Sequence, residues 1–116
     1  MPRPLVLATL WTILATVLLL LPGEYIPDAS VLGADKLVHA GIFALFAVLW
    51  LAAFPAAPAR VLLVGLLFAT GTELLQAAMG SGRMADPYDI VANVVGLGLG
   101  TAAFAVRRRL QPAEGA

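Results

Sequence analysis

The chain has 116 residues, 61% hydrophobic and 12% charged, and its seven basic and seven acidic side chains leave no net charge. That length suits one domain, the apolar content excludes an ordinary soluble globule, and the neutral balance gives no footing for nucleic-acid binding. With no cysteine in the chain, disulfides, thiolate metal sites and cysteine nucleophiles are excluded.

Four apolar stretches, at about residues 4–21, 36–54, 59–78 and 87–106, take up most of the chain. The first reads LVLATLWTILATVLLLL after Arg3. It outruns the apolar core of about 7–15 residues found in signal peptides and has no small-residue cleavage site behind it, so it reads as an uncleaved span. Pro22 and Gly23 end it, and Pro55 and Pro58 separate the second from the third. Gly80-Ser81-Gly82 closes the third. Pro87 suits the first turn of the fourth, with Asp86 placed to cap it. Apolar runs of this length cannot satisfy their backbone in lipid as isolated strands. The predicted fold is all-α: a polytopic bundle of four transmembrane helices forming a single domain over residues 1–116.

Basic residues set the expected direction. With both termini inside, Arg3, Arg60 and Arg107 to Arg109 lie on the cytoplasmic side, and Lys36 and Arg83 lie outside. The short loop at Pro55 to Ala59 then makes the second and third spans an antiparallel hairpin.

The polar residues inside the spans fall at helical spacings. Lys36 and His39 are three apart, as are Glu73 and Gln76, and Asp86, Asp89 and Asn93 follow at three and four. Residues so spaced share one helix face. In the N-in, C-in arrangement all three faces belong to the outer leaflet. Ionisable groups are costly at membrane depth, so they should face the bundle interior. Glu24, Asp28 and Asp35 read as a solvated outer rim. Gly96 and Gly100 form a GxxxG pair, suited either to close packing on the second span or to a homodimer. Trp11, Trp50 and Tyr88 read as packing or interface residues.

Several chemistries suit the polar set. Arg83 and Lys36 suit a phosphate or carboxylate, Arg as a fork and Lys as a point charge. His39 and Glu73 are candidates for moving a proton. Asp86 and Asp89 offer oxygen to a divalent ion. His39 lacks the nitrogen and sulfur partners of a zinc site, so no metal and no cofactor is assigned.

DKLVHAGIF (Asp35 to Phe43), TELLQ (Thr72 to Gln76), then Gly82-Arg83 and DPYDIVANVVGLGLG (Asp86 to Gly100) together resemble the VanZ-like family. The family's order of pieces is Lys-x-x-His, Glu-x-x-Gln, Arg, and Asp-x-x-x-Asn-x-x-Gly. Here they stand as Lys36–His39, Glu73–Gln76, Arg83 and Asp89–Asn93–Gly96. Where members often carry a proline before the arginine, this chain has Gly80-Ser81-Gly82. The resemblance implies a small multi-pass protein of the bacterial cytoplasmic membrane, in a family whose founding member is linked to teicoplanin resistance.

These readings converge on a polar pocket at the outer leaflet that binds an anionic amphiphile, either lipid-linked or of the glycopeptide type. Its ligand-binding set is Lys36, His39, Glu73, Gln76, Arg83, Asp89 and Asn93. Membrane lipids are the expected surroundings. The alternatives are an enzyme acting on a lipid head group through His39 and Glu73, and a small transporter or structural subunit. The topology has a direct check. Single cysteines at Ser30, Ser81 and Ala57 should label from outside at the first two positions only, whereas labelling of Ala57 and not Ser81 inverts the arrangement.

Overall fold

The computed structural model describes residues 2–21, 34–79 and 87–111. Four helices account for nearly all of them: α1 (Arg3–Leu20), α2 (Ala34–Ala53), α3 (Pro58–Ala78) and α4 (Pro87–Leu110). No strand occurs among the described residues. Each helix is long and apolar enough to cross a membrane. Prolines fall in the first turns of α1, α3 and α4, where a missing N–H leaves no acceptor unmet. Between α2 and α3 the chain reverses in a tight turn, with Ala57 N donating to Phe54 O at 3.1 Å.

Two boundaries differ from the expected ones. α2 begins at Ala34, with Asp35 in its first turn, where a carboxylate suits the positive end of the helix dipole. α4 continues past Val106 through Arg107 to Arg109. Arginine is a good helix former, and its charge suits the negative end. Asp86, the expected cap of α4, lies outside the described residues, as do Glu24, Asp28, Ser30, Ser81 and Arg83.

Burial runs opposite to that of a soluble protein. The large exposed side chains are apolar, among them Leu10, Ile13, Leu37, Leu67 and Leu99, while His39, Thr72, Glu73, Gln76, Asp89 and Asn93 are buried. Only lipid makes that arrangement favourable, since hydrocarbon solvates leucine and rejects unpaired polar groups.

The closest contact in the bundle is between α2 and α4. A Cβ at Gly96 would stand 2.8 Å from Ala40 Cα, and one at Gly100 would stand 2.9 Å from Ala44 Cα. Both would meet the alanine carbonyl oxygens closer still. Only glycine permits that approach. The contacts advance together along both helices, from Lys36 with Asp89 to His39 with Asn93, Ala40 with Gly96 and Ala44 with Gly100. α2 and α4 therefore run parallel. The GxxxG face packs on α2 of the same chain, the first of the two uses expected for Gly96 and Gly100.

α3 packs its small and aromatic face on this pair. Phe68 lies 5.6 Å from Phe43 and 5.4 Å from Phe46, ring centre to ring centre. α1 is attached by directed bonds. Trp11 Nε1 donates to Ile42 O at 3.0 Å, and Trp50 Nε1 donates to Thr12 Oγ1 at 2.8 Å. Thr9, Thr12 and Thr16 each donate back to the carbonyl four residues earlier, so no hydroxyl of α1 enters lipid unsatisfied. Tyr88 is 73% exposed, the position of an interface residue rather than of a core one.

The seam separates the glycines by role. Gly96→Ala drives a methyl into backbone and should cost about 1–3 kcal/mol. Gly98→Ala meets nothing within 4 Å and should be neutral or stabilising by up to about 1 kcal/mol. Unfolding of the two variants in detergent micelles, followed by circular dichroism, tests the contrast.

Candidate functional site

The polar residues gather where α2 and α4 begin. Because the seam forces the two backbones together, the side chains one to two turns earlier must pair or be stranded. Lys36 Nζ lies 2.5 Å from Asp89 Oδ1 and 3.4 Å from Asp35 Oδ2. His39 Nδ1 lies 3.0 Å from Asn93 Oδ1. His39 Nε2 faces two carboxylates, Asp35 Oδ1 and Asp89 Oδ2, each at 3.8 Å. His39, Asp89 and Asn93 are at most 4% exposed, whereas about a third of the Lys36 side chain is open.

The proton on the imidazole follows from these neighbours. Asn93 Nδ2 is buried without a hydrogen-bond partner as placed. An amide's oxygen and nitrogen are assigned from its bonding network. Turning the Asn93 amide over brings Nδ2 to His39 Nδ1 as a donor. Nε2–H then points at the two carboxylates. The opposite assignment in a neutral ring would aim the Nε2 lone pair at two negative charges. Electrostatics therefore favour a proton on Nε2, on the side of the ring that faces the carboxylate pair.

α3 contributes differently. Glu73 and Gln76 are both buried, but Gln76 turns to α1 and donates through Nε2 to Leu19 O. Among the described residues His39 has contacts with Asp35, Asp89 and Asn93, and Glu73 is not among them. His39 pairs within α2 and across to α4.

A family model described as VanZ/LLP1 matches residues 5–108. The chain belongs to the VanZ/LLP1 family. Comparison with curated proteins and with solved structures gives no match.

In this VanZ-like chain the structure brings Lys36, His39, Asp89 and Asn93 into one connected cluster. Glu73 and Gln76 are buried on α3, and Arg83 falls outside the described residues. Asp35 is the residue the sequence reading missed. It is partly exposed, as a rim residue would be, and it also contacts both Lys36 and His39. Its four-residue spacing to His39 was the available signal.

Asp35, His39 and Asp89 each offer one ligand atom, all within 4.8 Å of one another, a set able to hold a metal ion. Asp89 is already engaged by the Lys36 ammonium, so a cation there would have to displace it. Among the described residues the cluster joins one ammonium to two carboxylates, with His39 bonded to Asn93 and the Lys36 side chain partly exposed at the edge.

A cavity of about 360 Å³ lies near the opposite end of the bundle, beside the α2–α3 turn. Its walls are mainly aromatic and aliphatic and include none of the polar cluster. This cavity is separate from the polar cluster.

Proposed function

We propose that this VanZ-like membrane protein binds the anionic head of an amphiphile at the polar end of its bundle, facing the outer leaflet of the bacterial cytoplasmic membrane. The observation that carries the reading is the burial of six polar residues near one end of a chain otherwise solvated by lipid. Such burial opposes stability unless the groups are paired. Interhelical hydrogen bonds in membranes return only about 0.6 kcal/mol on average, so structural gain alone is a weak reason to keep them.

Lys36 meets the anionic group in this reading, together with Arg83. Asp35 and Asp89 hold the ammonium in place, and His39 and Asn93 fix Asp89's surroundings. Glu73 and Gln76 line the α3 side. A lipid-linked cell-envelope intermediate has the required chemistry, a charged head on a long apolar tail. A teicoplanin-type lipoglycopeptide has it too, which would connect the site to resistance.

One observation favours a second reading, in which the protein is an enzyme acting on a lipid head group. His39 is oriented through Nδ1 and flanked at Nε2 by carboxylates, the arrangement of a positioned acid or base.

The test uses purified protein in nanodiscs with a labelled polyprenyl phosphate and the matching uncharged polyprenol. The phosphate should bind more tightly. Lys36→Gln should weaken that binding about fivefold or more, and Asp35→Asn should strengthen it by removing a nearby negative charge. Equal binding of phosphate and alcohol would sink the proposal. Turnover of the phosphate that His39→Ala abolishes would select the enzyme reading instead.

A further inference from the structure

The cavity beside the α2–α3 turn is separate from the polar cluster. α2 has 20 residues, so its two ends stand about 30 Å apart. Thr12 of α1, Trp50 of α2, Phe54 just beyond α2, and Val64 and Phe68 of α3 form much of its wall, and Arg60 contributes to the lining. Trp50 stacks on Phe54 at 6.0 Å with the rings 8° from parallel. The polar atoms of the wall are already used. Thr12 Oγ1 donates to Ala8 O and accepts from Trp50 Nε1, both at 2.8 Å. What remains is an apolar surface around a volume at the low end of the usual ligand-pocket range of about 300–1,000 Å³. It accepts hydrocarbon and offers a sugar or peptide few partners.

The rim has the opposite character. Arg60 is exposed, and among the described residues no carboxylate pairs with it. The described acidic residues, Asp35, Glu73 and Asp89, all belong to the other half of the bundle. α3 starts at Pro58, and Ala57 supplies no side-chain cap. The amides of Ala59 and Arg60 therefore precede the first intrahelical bond, which runs from Val61 N to Ala57 O. Unmet amides, the helix dipole and a guanidinium converge beside the opening, a combination suited to phosphate. Arg107 to Arg109, exposed at the C-terminal end of α4, raise the positive potential at the same end.

We propose that this cavity is a binding site for an anionic phospholipid of the bilayer, with one acyl chain in the aromatic slot and the phosphate on Arg60 and the α3 N-terminus. Charge complementarity selects the occupant. A zwitterionic lipid could fill the same slot, but its amine would face the arginine-rich rim.

Trp50 reports directly on the slot. The chain has two tryptophans, and Trp11→Phe leaves Trp50 as the only emitter. The full chain in zwitterionic nanodiscs receives small, equal fractions of lipid brominated on the acyl chain, with either a phosphatidylglycerol or a phosphatidylcholine head. Brominated phosphatidylglycerol should reach half-maximal quenching at about a fivefold lower fraction. Arg60→Gln, on an exposed residue, should remove that preference, lowering quenching by phosphatidylglycerol more than quenching by phosphatidylcholine. Val64→Phe, which narrows the slot, should reduce quenching by both lipids. Equal quenching by the two lipids in the Trp11→Phe background would overturn the site. A preference that survives Arg60→Gln would overturn its assignment to Arg60.

Discussion

Two glycines against two alanines determine how this bundle is built. With Gly96 and Gly100 lying on the backbones of Ala40 and Ala44, α2 and α4 have no freedom to slide or separate by a side chain's width. The register then fixes everything toward the start of both helices. His39 must meet Asn93, and Lys36 must meet Asp89. Helix association in lipid lacks a hydrophobic drive between apolar surfaces, so close van der Waals packing and polar bonds must supply it. Here the two occupy successive stretches of one interface, the packing at Ala40 to Ala44 and the polar bonds at Lys36 to His39.

The ends of the bundle consequently differ in chemistry. One carries a network in which buried His39, Asp89 and Asn93 are joined to half-exposed Lys36 and Asp35. The other carries arginines around an aromatic cavity, with no carboxylate among the described residues to neutralise them. A membrane protein with such polarity can address two different sets of lipid heads. The cluster suits a directed, hydrogen-bonded head, and the arginine end suits the diffuse negative charge of a leaflet surface.

Much of this was legible before any coordinates. The apolar runs and their flanking prolines located four helices to within a few residues, because lipid solvation demands that length. The three- and four-residue spacings marked His39, Glu73, Gln76, Asp89 and Asn93, which are buried, and Lys36, which is partly exposed. The pairing among them was not legible. Spacing places Lys36, His39, Glu73 and Asp89 on inward faces, but it does not say which helix each face meets. The glycine seam decides that, and a GxxxG pair reads equally well as a seam within the chain or between chains. Asp35 escaped notice because an acid in a first helical turn is ordinarily explained by the dipole and by water. The aromatic cavity needs residues from three helices and leaves no trace in any one segment.

The α2–α4 seam holds His39 against Asn93, which leaves a proton on Nε2. The chain has a single histidine, so nitrogen NMR of histidine-labelled protein in bilayers reads that ring without ambiguity. We expect a protonated Nε2 and a Nδ1 resonance that shifts in Asn93→Ala and shifts likewise in Gly96→Leu, where the seam is forced apart. A ring whose two nitrogen signals are unchanged by both substitutions would contradict this expectation.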